Sequence, residues 1–281
     1  MQKKSVFKNA STTYYYSSMF FPKKIWEKVA TLYVYVRLAD DYVDSIPQDA
    51  KGFAAFVAAT QDAFLEKSID SHPNAEHITA FTKLIKSHAI PVSWVTDFLR
   101  AMQSDLTSTG EGIEYSTRKQ LDHYIFGSAE VIGLMMCKLL NLPKEAYSAA
   151  KKQGNAMQYL NFIRDIAEDC SLNRVYIPQE SRTQFGLSNC SDFLTAPSGK
   201  FESMIRAELA HYYKLQKEAN LGFRYIPYRY RVPIATAAEL YQWTAKCIED
   251  NPKIVFEKKV KPTKVRIIFT LLKMSIQCLT Y

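Results

Sequence analysis

The chain has 281 residues, of which 47% are hydrophobic, 23% charged and 13% aromatic, and it carries a formal charge of +8. That much apolar and aromatic material excludes a disordered chain. Nine glycines, about 3% against a usual ~7%, disfavour a turn-rich all-β architecture. A basic surplus suits a phosphate-bearing ligand, nucleic acid or an anionic lipid surface without choosing among them.

Helical periodicity predicts segments over 7–18, 22–46, 49–67, 75–88, 91–106, 117–141, 144–171, 199–221, 231–250 and 262–279, with prolines at many of their edges. Loops are expected at 106–116 and 172–198. No internal repeat or low-complexity stretch interrupts the pattern, so the expectation is a single all-α domain over 1–281. Five scattered cysteines (Cys137, Cys170, Cys190, Cys247, Cys278) form no C-x-x-C and are odd in number. Free thiols in a reducing compartment are therefore expected, rather than disulfides or a zinc site. The start, MQKKSVFKNAS, lacks the apolar stretch of a signal peptide, and no window of about 18 residues reads as a membrane span. A cytoplasmic protein is expected.

Two stretches break the rule that buried helices are apolar. In the first, Tyr33, Arg37, Asp40 and Asp44 fall on one helical stripe, between the apolar Leu32, Val36, Leu38, Ala39 and Val43. In the second, Gln158, Asn161, Asp165 and Asp169 form a stripe among Leu160, Phe162, Ile163 and Ile166. Like charges at i,i+4 repel on an exposed helix, and unpaired carboxylates inside a core cost far more. Something cationic therefore belongs between them. Hard divalent cations prefer oxygen ligands, and Mg²⁺ takes one or two carboxylates together with substrate phosphate oxygens. Arg37 and Arg164 stand beside the pairs, where a guanidinium is placed to hold a diphosphate. A solvated acidic surface is the plain alternative for one such pair, but two embedded copies, each with its own Arg, argue against it.

At these residues the chain resembles the squalene/phytoene synthase family of head-to-head prenyltransferases. Arg37-Leu-Ala-Asp40-Asp41-Tyr-Val-Asp44 is similar to its first aspartate-rich motif. Asn161-Phe-Ile-Arg164-Asp165-Ile-Ala-Glu168-Asp169, followed by Asn173-Arg174-Val-Tyr176-Ile-Pro178, is similar to its second. Ser11 to Pro22, Tyr124 to Gly133 and Asn251 to Lys259 extend the likeness. The resemblance implies an all-α isoprenoid-synthase bundle around a central cavity. It implies Asp40, Asp44, Asp165 and Asp169 as catalytic carboxylates, and these four with Asn161 as ligands of two or three Mg²⁺ ions. It implies contacts to prenyl diphosphate substrates from Ala10, Ser11, Thr12, Thr13, Tyr33, Arg37, Gln158, Asn161, Arg164, Tyr176, Tyr241 and Lys253. Departures occur at Thr12 (Lys in several relatives), Lys253 (Arg in some) and Phe126 (Tyr in some).

Within the family, TLYVYVRLADDYVDSIPQD and GSAEVIGLMM are most similar to the bacterial and archaeal phytoene-forming branch. That branch joins two geranylgeranyl diphosphates through a cyclopropyl diphosphate and needs no NADPH. Squalene-, dehydrosqualene- and hydroxysqualene-forming relatives, which use farnesyl-derived substrates, remain as alternatives, and a non-catalytic assembly factor as a remote one. Carbocation chemistry needs a dry cavity and aromatic faces, for which Tyr14, Tyr33, Phe126 and Tyr159 are candidates against a plain packing role. The segment Lys258 to Lys273 is basic and amphipathic. It reads either as a helix lying on the inner face of an anionic cell membrane or as a final packing helix with a solvated basic face. No nucleic-acid module is recognisable, and no such partner is expected.

Overall fold

The computed structural model describes residues 17–106, 112–195 and 199–280. Helix α1 (Lys23–Asp44) begins after Pro22. Three helices follow, α2 (Ala50–Phe64), α3 (Ala75–Ser87) and α4 (Val92–Ser104), and each packs against α1 or its neighbour. Their interior is aromatic: Tyr35 is fully buried, stacks on Phe81 at 3.5 Å and shares a hydrogen bond with Thr60 at 3.0 Å. Burying side chains of this size stabilises by about 1.5–3 kcal/mol each.

The segment predicted as one helix over 117–141 has three parts. Helix α5 (Arg118–Ile125) starts on a capping box, in which the Thr117 hydroxyl accepts from the Gln120 amide and the Gln120 side chain reaches back. A π-helical turn over Phe126–Glu130 follows, then α6 (Val131–Leu139). Helix α7 (Tyr147–Arg164) runs back antiparallel to this stretch at backbone contact. A side chain on Gly133 would meet the Ala150 carbonyl oxygen at 2.4 Å, and one on Gly154 the Ala129 oxygen at 2.5 Å. Only glycine permits that approach.

The 144–171 pattern also divides. Asp165, with φ −98° and ψ 12°, ends α7, and α8 (Ile166–Ser171) starts beyond it. The expected loop over 172–198 holds three short elements: β2 (Arg174–Val175), α9 (Gln179–Thr183) and α10 (Cys190–Thr195). β2 pairs in parallel with β1 (Ile113–Glu114), with Ile113 opposite Arg174. Helices α11 (Lys200–Asn220) and α12 (Tyr228–Asp250) pack on α7. After the short α13 (Ile254–Glu257), α14 (Lys264–Gln277) lies on α12. The expected all-α bundle around a central cavity is the observed architecture.

The cysteine expectation is corrected at two of the five positions. Cys170 and Cys190 form a disulfide, their Cα atoms 5.8 Å apart, because the chain after α8 folds back through β2 and α9. Cys137, Cys247 and Cys278 are free thiols.

Candidate active site

A cavity of about 790 Å³ runs between α1, α4, α6, α7 and α12. Its character changes along α7, which at 1.5 Å per residue is about 27 Å long. The start of α7 contributes Ala146, Ala149 and Ala150, facing Ala219, Gly222 and Phe223. Its end contributes Gln158, Asn161, Arg164 and, just beyond, Asp165. Helix α1 changes in the same sense, from Val29 and Leu32 to Arg37, Asp40 and Asp44. The result is an apolar chamber with one charged end.

At that end the C-termini of α1 and α7 converge on the carboxylates Asp40, Asp44, Asp165 and Asp169. A helix C-terminus carries roughly half a negative charge, which adds to the repulsion at Asp40 and Asp44, whereas Asp165 and Asp169 stand at the start of α8. Asp44 pairs with Arg174 at 2.8 Å, and Asp165 with Arg164 at 2.5 Å and Lys259 at 3.3 Å. Among the described residues neither Asp40 nor Asp169 is in an ion pair. Burial, and then the Asp44 charge beside it, push the Asp40 carboxyl well above the usual carboxylate range. Burial, followed by the Asp165 charge, lifts Asp169 to about 8. Two of these oxygen donors lack a cation, and hard divalent ions prefer such donors, although among the described residues no three His, Cys, Asp or Glu side chains are grouped closely enough to hold one as they stand.

Asn161 is oriented as well. It accepts a hydrogen bond from Tyr241 Oη at 3.2 Å and donates to Gln158 Oε1 at 3.3 Å. Tyr33, Arg37, Gln158, Arg164, Tyr176 and Tyr241 all line the cavity, and Arg37 is held by Asp41 at 2.5 Å.

Three predicted positions lie elsewhere. Lys253 does not line the cavity and pairs with Glu202 at 3.3 Å, whereas Lys259 and Lys261 reach the wall. Tyr159 is fully buried on the far side of α7, where its hydroxyl donates to Glu208, itself paired with Arg118 at 2.9 Å. Phe126, in the π-helical turn, packs into the core. Ala10, Ser11, Thr12, Thr13 and Tyr14 lie outside the described residues.

Asp105, just past α4, was not singled out from the sequence. It is buried on the cavity wall and accepts from Tyr124 Oη at 2.6 Å and Tyr176 Oη at 3.3 Å. Burial raises its carboxyl to about 7, against the lowering effect of the Tyr124 hydrogen bond and of Arg174. Tyr176 also stacks on Phe162 at 4.1 Å, so the cavity does offer aromatic faces, from residues other than Tyr159 and Phe126.

The sequence profile described as squalene/phytoene synthase matches residues 7–266. The chain belongs to that family. It is 24% identical over 260 residues to a 15-cis-phytoene synthase of Synechococcus elongatus, covering 88% of this chain and 82% of the relative. It is 28% identical over 201 residues to a phytoene synthase of Thermus thermophilus, covering 72% and 65% respectively. In three dimensions it resembles a ligand-bound dehydrosqualene synthase with a TM-score of 0.88 at 23% identity, over 100% of this chain and 96% of that one. A squalene synthase from Alicyclobacillus acidocaldarius gives a TM-score of 0.75 at 18% identity, over 93% and 94%. The chain is thus built as a head-to-head prenyl synthase, and its family works on diphosphate substrates with divalent metal.

Proposed function

We propose that the protein is a phytoene synthase, joining two geranylgeranyl diphosphates head to head and releasing two diphosphates. The observation that carries this reading is the combination of four carboxylates on the wall at one end of the cavity with a long apolar chamber whose far end is lined by alanine and glycine. The phytoene synthases among its relatives support the choice of substrate.

Asp40, Asp44, Asn161, Asp165 and Asp169 would hold Mg²⁺. Metal so bound supplies charge neutralisation, which makes diphosphate a better leaving group. Arg37, Arg164 and Lys259 then neutralise the remaining diphosphate oxygens through charge-assisted hydrogen bonds. Loss of diphosphate from the first substrate leaves an allylic cation, which the second substrate's double bond attacks, giving a cyclopropyl diphosphate after proton loss. A second loss of diphosphate, rearrangement and a final deprotonation yield the hydrocarbon. The apolar walls exclude water from both cations. The faces of Tyr33, Phe162 and Tyr176 stabilise positive charge by their quadrupoles, about 0.5–2 kcal/mol for each well-placed ring.

The test is a product assay. Purified protein is incubated with Mg²⁺ and either geranylgeranyl or farnesyl diphosphate, with and without NADPH, and the extract is analysed by mass spectrometry. A C40 hydrocarbon formed without NADPH is expected. A C30 product would move the substrate to farnesyl diphosphate, and NADPH dependence would separate squalene from dehydrosqualene. No product from either substrate would overturn the assignment.

A further inference from the structure

Helix α14 is apolar on both faces. Its inward face, Ile267, Leu271 and Met274 with Cys278 beyond, is buried, the last three against Phe223, Ile226, Val232 and Ala235. Its outward face carries Val265, Ile268, Phe269, Leu272, Ile276 and, past its end, Leu279, each 55–71% exposed. Spacings of 3, 1, 3, 4 and 3 place these six on one stripe opposite the buried one. An ordinary surface helix turns polar residues outward, so a continuous exposed apolar stripe marks a contact surface. The outward face is therefore not the solvated basic face that the sequence also allowed.

Charge selects the partner. From Lys258 to Tyr281 the chain has six basic residues and no Asp or Glu. Arg266 and Lys273 border the stripe on one side, Arg266 lying over the Trp243 ring at 4.6 Å and Lys273 paired with Glu239. Lys264 borders it on the other. Two copies of this face brought together would set the three bordering cations of one against the three of the other. A partner both apolar and anionic is required, and a bilayer rich in acidic headgroups has both properties. Among the described residues no helix is long and apolar enough to cross a membrane, so the contact is parallel to the surface.

We infer that α14 docks the protein on an anionic membrane surface, with Val265, Ile268, Phe269, Leu272, Ile276 and Leu279 entering the acyl boundary and the bordering basic side chains at headgroup level. Position gives this surface a purpose. Phe223 and Ile226, beneath α14, also line the apolar end of the cavity. The apolar end of the chamber thus lies beneath the side of the molecule that meets lipid. The docking itself does not depend on which prenyl diphosphate is used.

The experiment is flotation of the full chain with phosphatidylcholine vesicles, with or without a quarter phosphatidylglycerol, at 0.1 and 0.5 M NaCl. Binding is expected on the anionic vesicles and is expected to weaken at high salt. The double variant Phe269→Ser/Leu272→Ser, altered only on exposed side chains, should partition at least tenfold less while its melting temperature and its turnover of detergent-dispersed substrate stay unchanged. As a second readout, Phe269→Trp should be quenched by brominated lipid in anionic vesicles. Absence of binding at low salt would overturn the inference, as would binding unaffected by the double substitution. A dimer in sedimentation that the double substitution dissolves would assign the face to self-association instead.

Discussion

Replacing Asp105 by Asn should stabilise the protein at alkaline pH and leave it nearly unchanged at acid pH. In the unfolded chain this carboxyl titrates near 3.8, and in the folded protein burial lifts it to about 7. Between those values the folded state holds a proton that the unfolded state has lost, so stability falls as pH rises from about 4 to about 7 and is level above. A displacement of about three pH units corresponds to at most about 4 kcal/mol, at 1.36 kcal/mol per unit. At roughly 2 °C per kcal/mol for a chain of this size, the variant should melt up to about 8 °C higher than wild type at pH 8. The two hydroxyls, of Tyr124 and Tyr176, donate to different oxygens of Asp105; Asn keeps an oxygen for one of them and offers its NH2 as a donor to the other, so the shape is preserved and little packing is lost. The assay is the melting temperature of both proteins across pH 4.5 to 8.5 without Mg²⁺, since a nearby cation would favour the ionised form. A melting difference that does not grow between pH 5 and 8 would refute the buried-carboxyl argument.

Asp40→Asn should cut product formation at least about 100-fold while the metal-free protein melts at the same temperature or higher, because a repelled, unpaired carboxylate is removed; marked unfolding in circular dichroism would make Asp40 structural. Cys170→Ser opens a 20-residue loop closure and should lower stability by roughly 3 kcal/mol. Reductant should destabilise wild type equally, and a melting temperature indifferent to both treatments would remove the disulfide. Ala149→Leu at the apolar end should favour the shorter substrate, since a Leu-to-Ala truncation opens on the order of 150 Å³, and the reverse change occupies about a fifth of the 790 Å³ cavity. An unchanged ratio of C20 to C15 turnover by mass spectrometry would sink that reading.

The long helices were legible because their apolar stripes are long and prolines stand at several of their starts, as at Pro22, Pro91 and Pro227. The charged end of the cavity was legible for the opposite reason. Tyr33, Arg37, Asp40 and Asp44 violate the apolar surroundings in which their own helix must be buried, and the structure places all four on the cavity wall. Asp105 gave no such signal, being a single carboxylate just past a helix with no i,i+4 companion. Tyr159 misled because it neighbours Gln158 in sequence, yet one residue is a 100° turn, enough to face it toward Glu208. The break at Asp165 was hidden because hydrogen bonds from Asp165 N to Asn161 O and from Asp169 N to Asp165 O carry the i,i+4 spacing through it. The parallel pairing of residues 113–114 with 174–175 and the Cys170–Cys190 link are non-local, and nothing in either segment alone announces its partner.

The ion pairs at the charged end carry a thermodynamic consequence. Arg174 on Asp44, with Arg164 and Lys259 on Asp165, are the same kinds of group that a diphosphate and a divalent ion would seek. A metal ion arriving alone takes the carboxylates and leaves those cations with nothing to face. Diphosphate arriving alone takes the cations and leaves the carboxylates bare. Arriving together, they re-pair every charge that either displaces. The two should therefore bind with positive cooperativity, and by linkage the factor by which metal tightens diphosphate equals the factor by which diphosphate tightens metal.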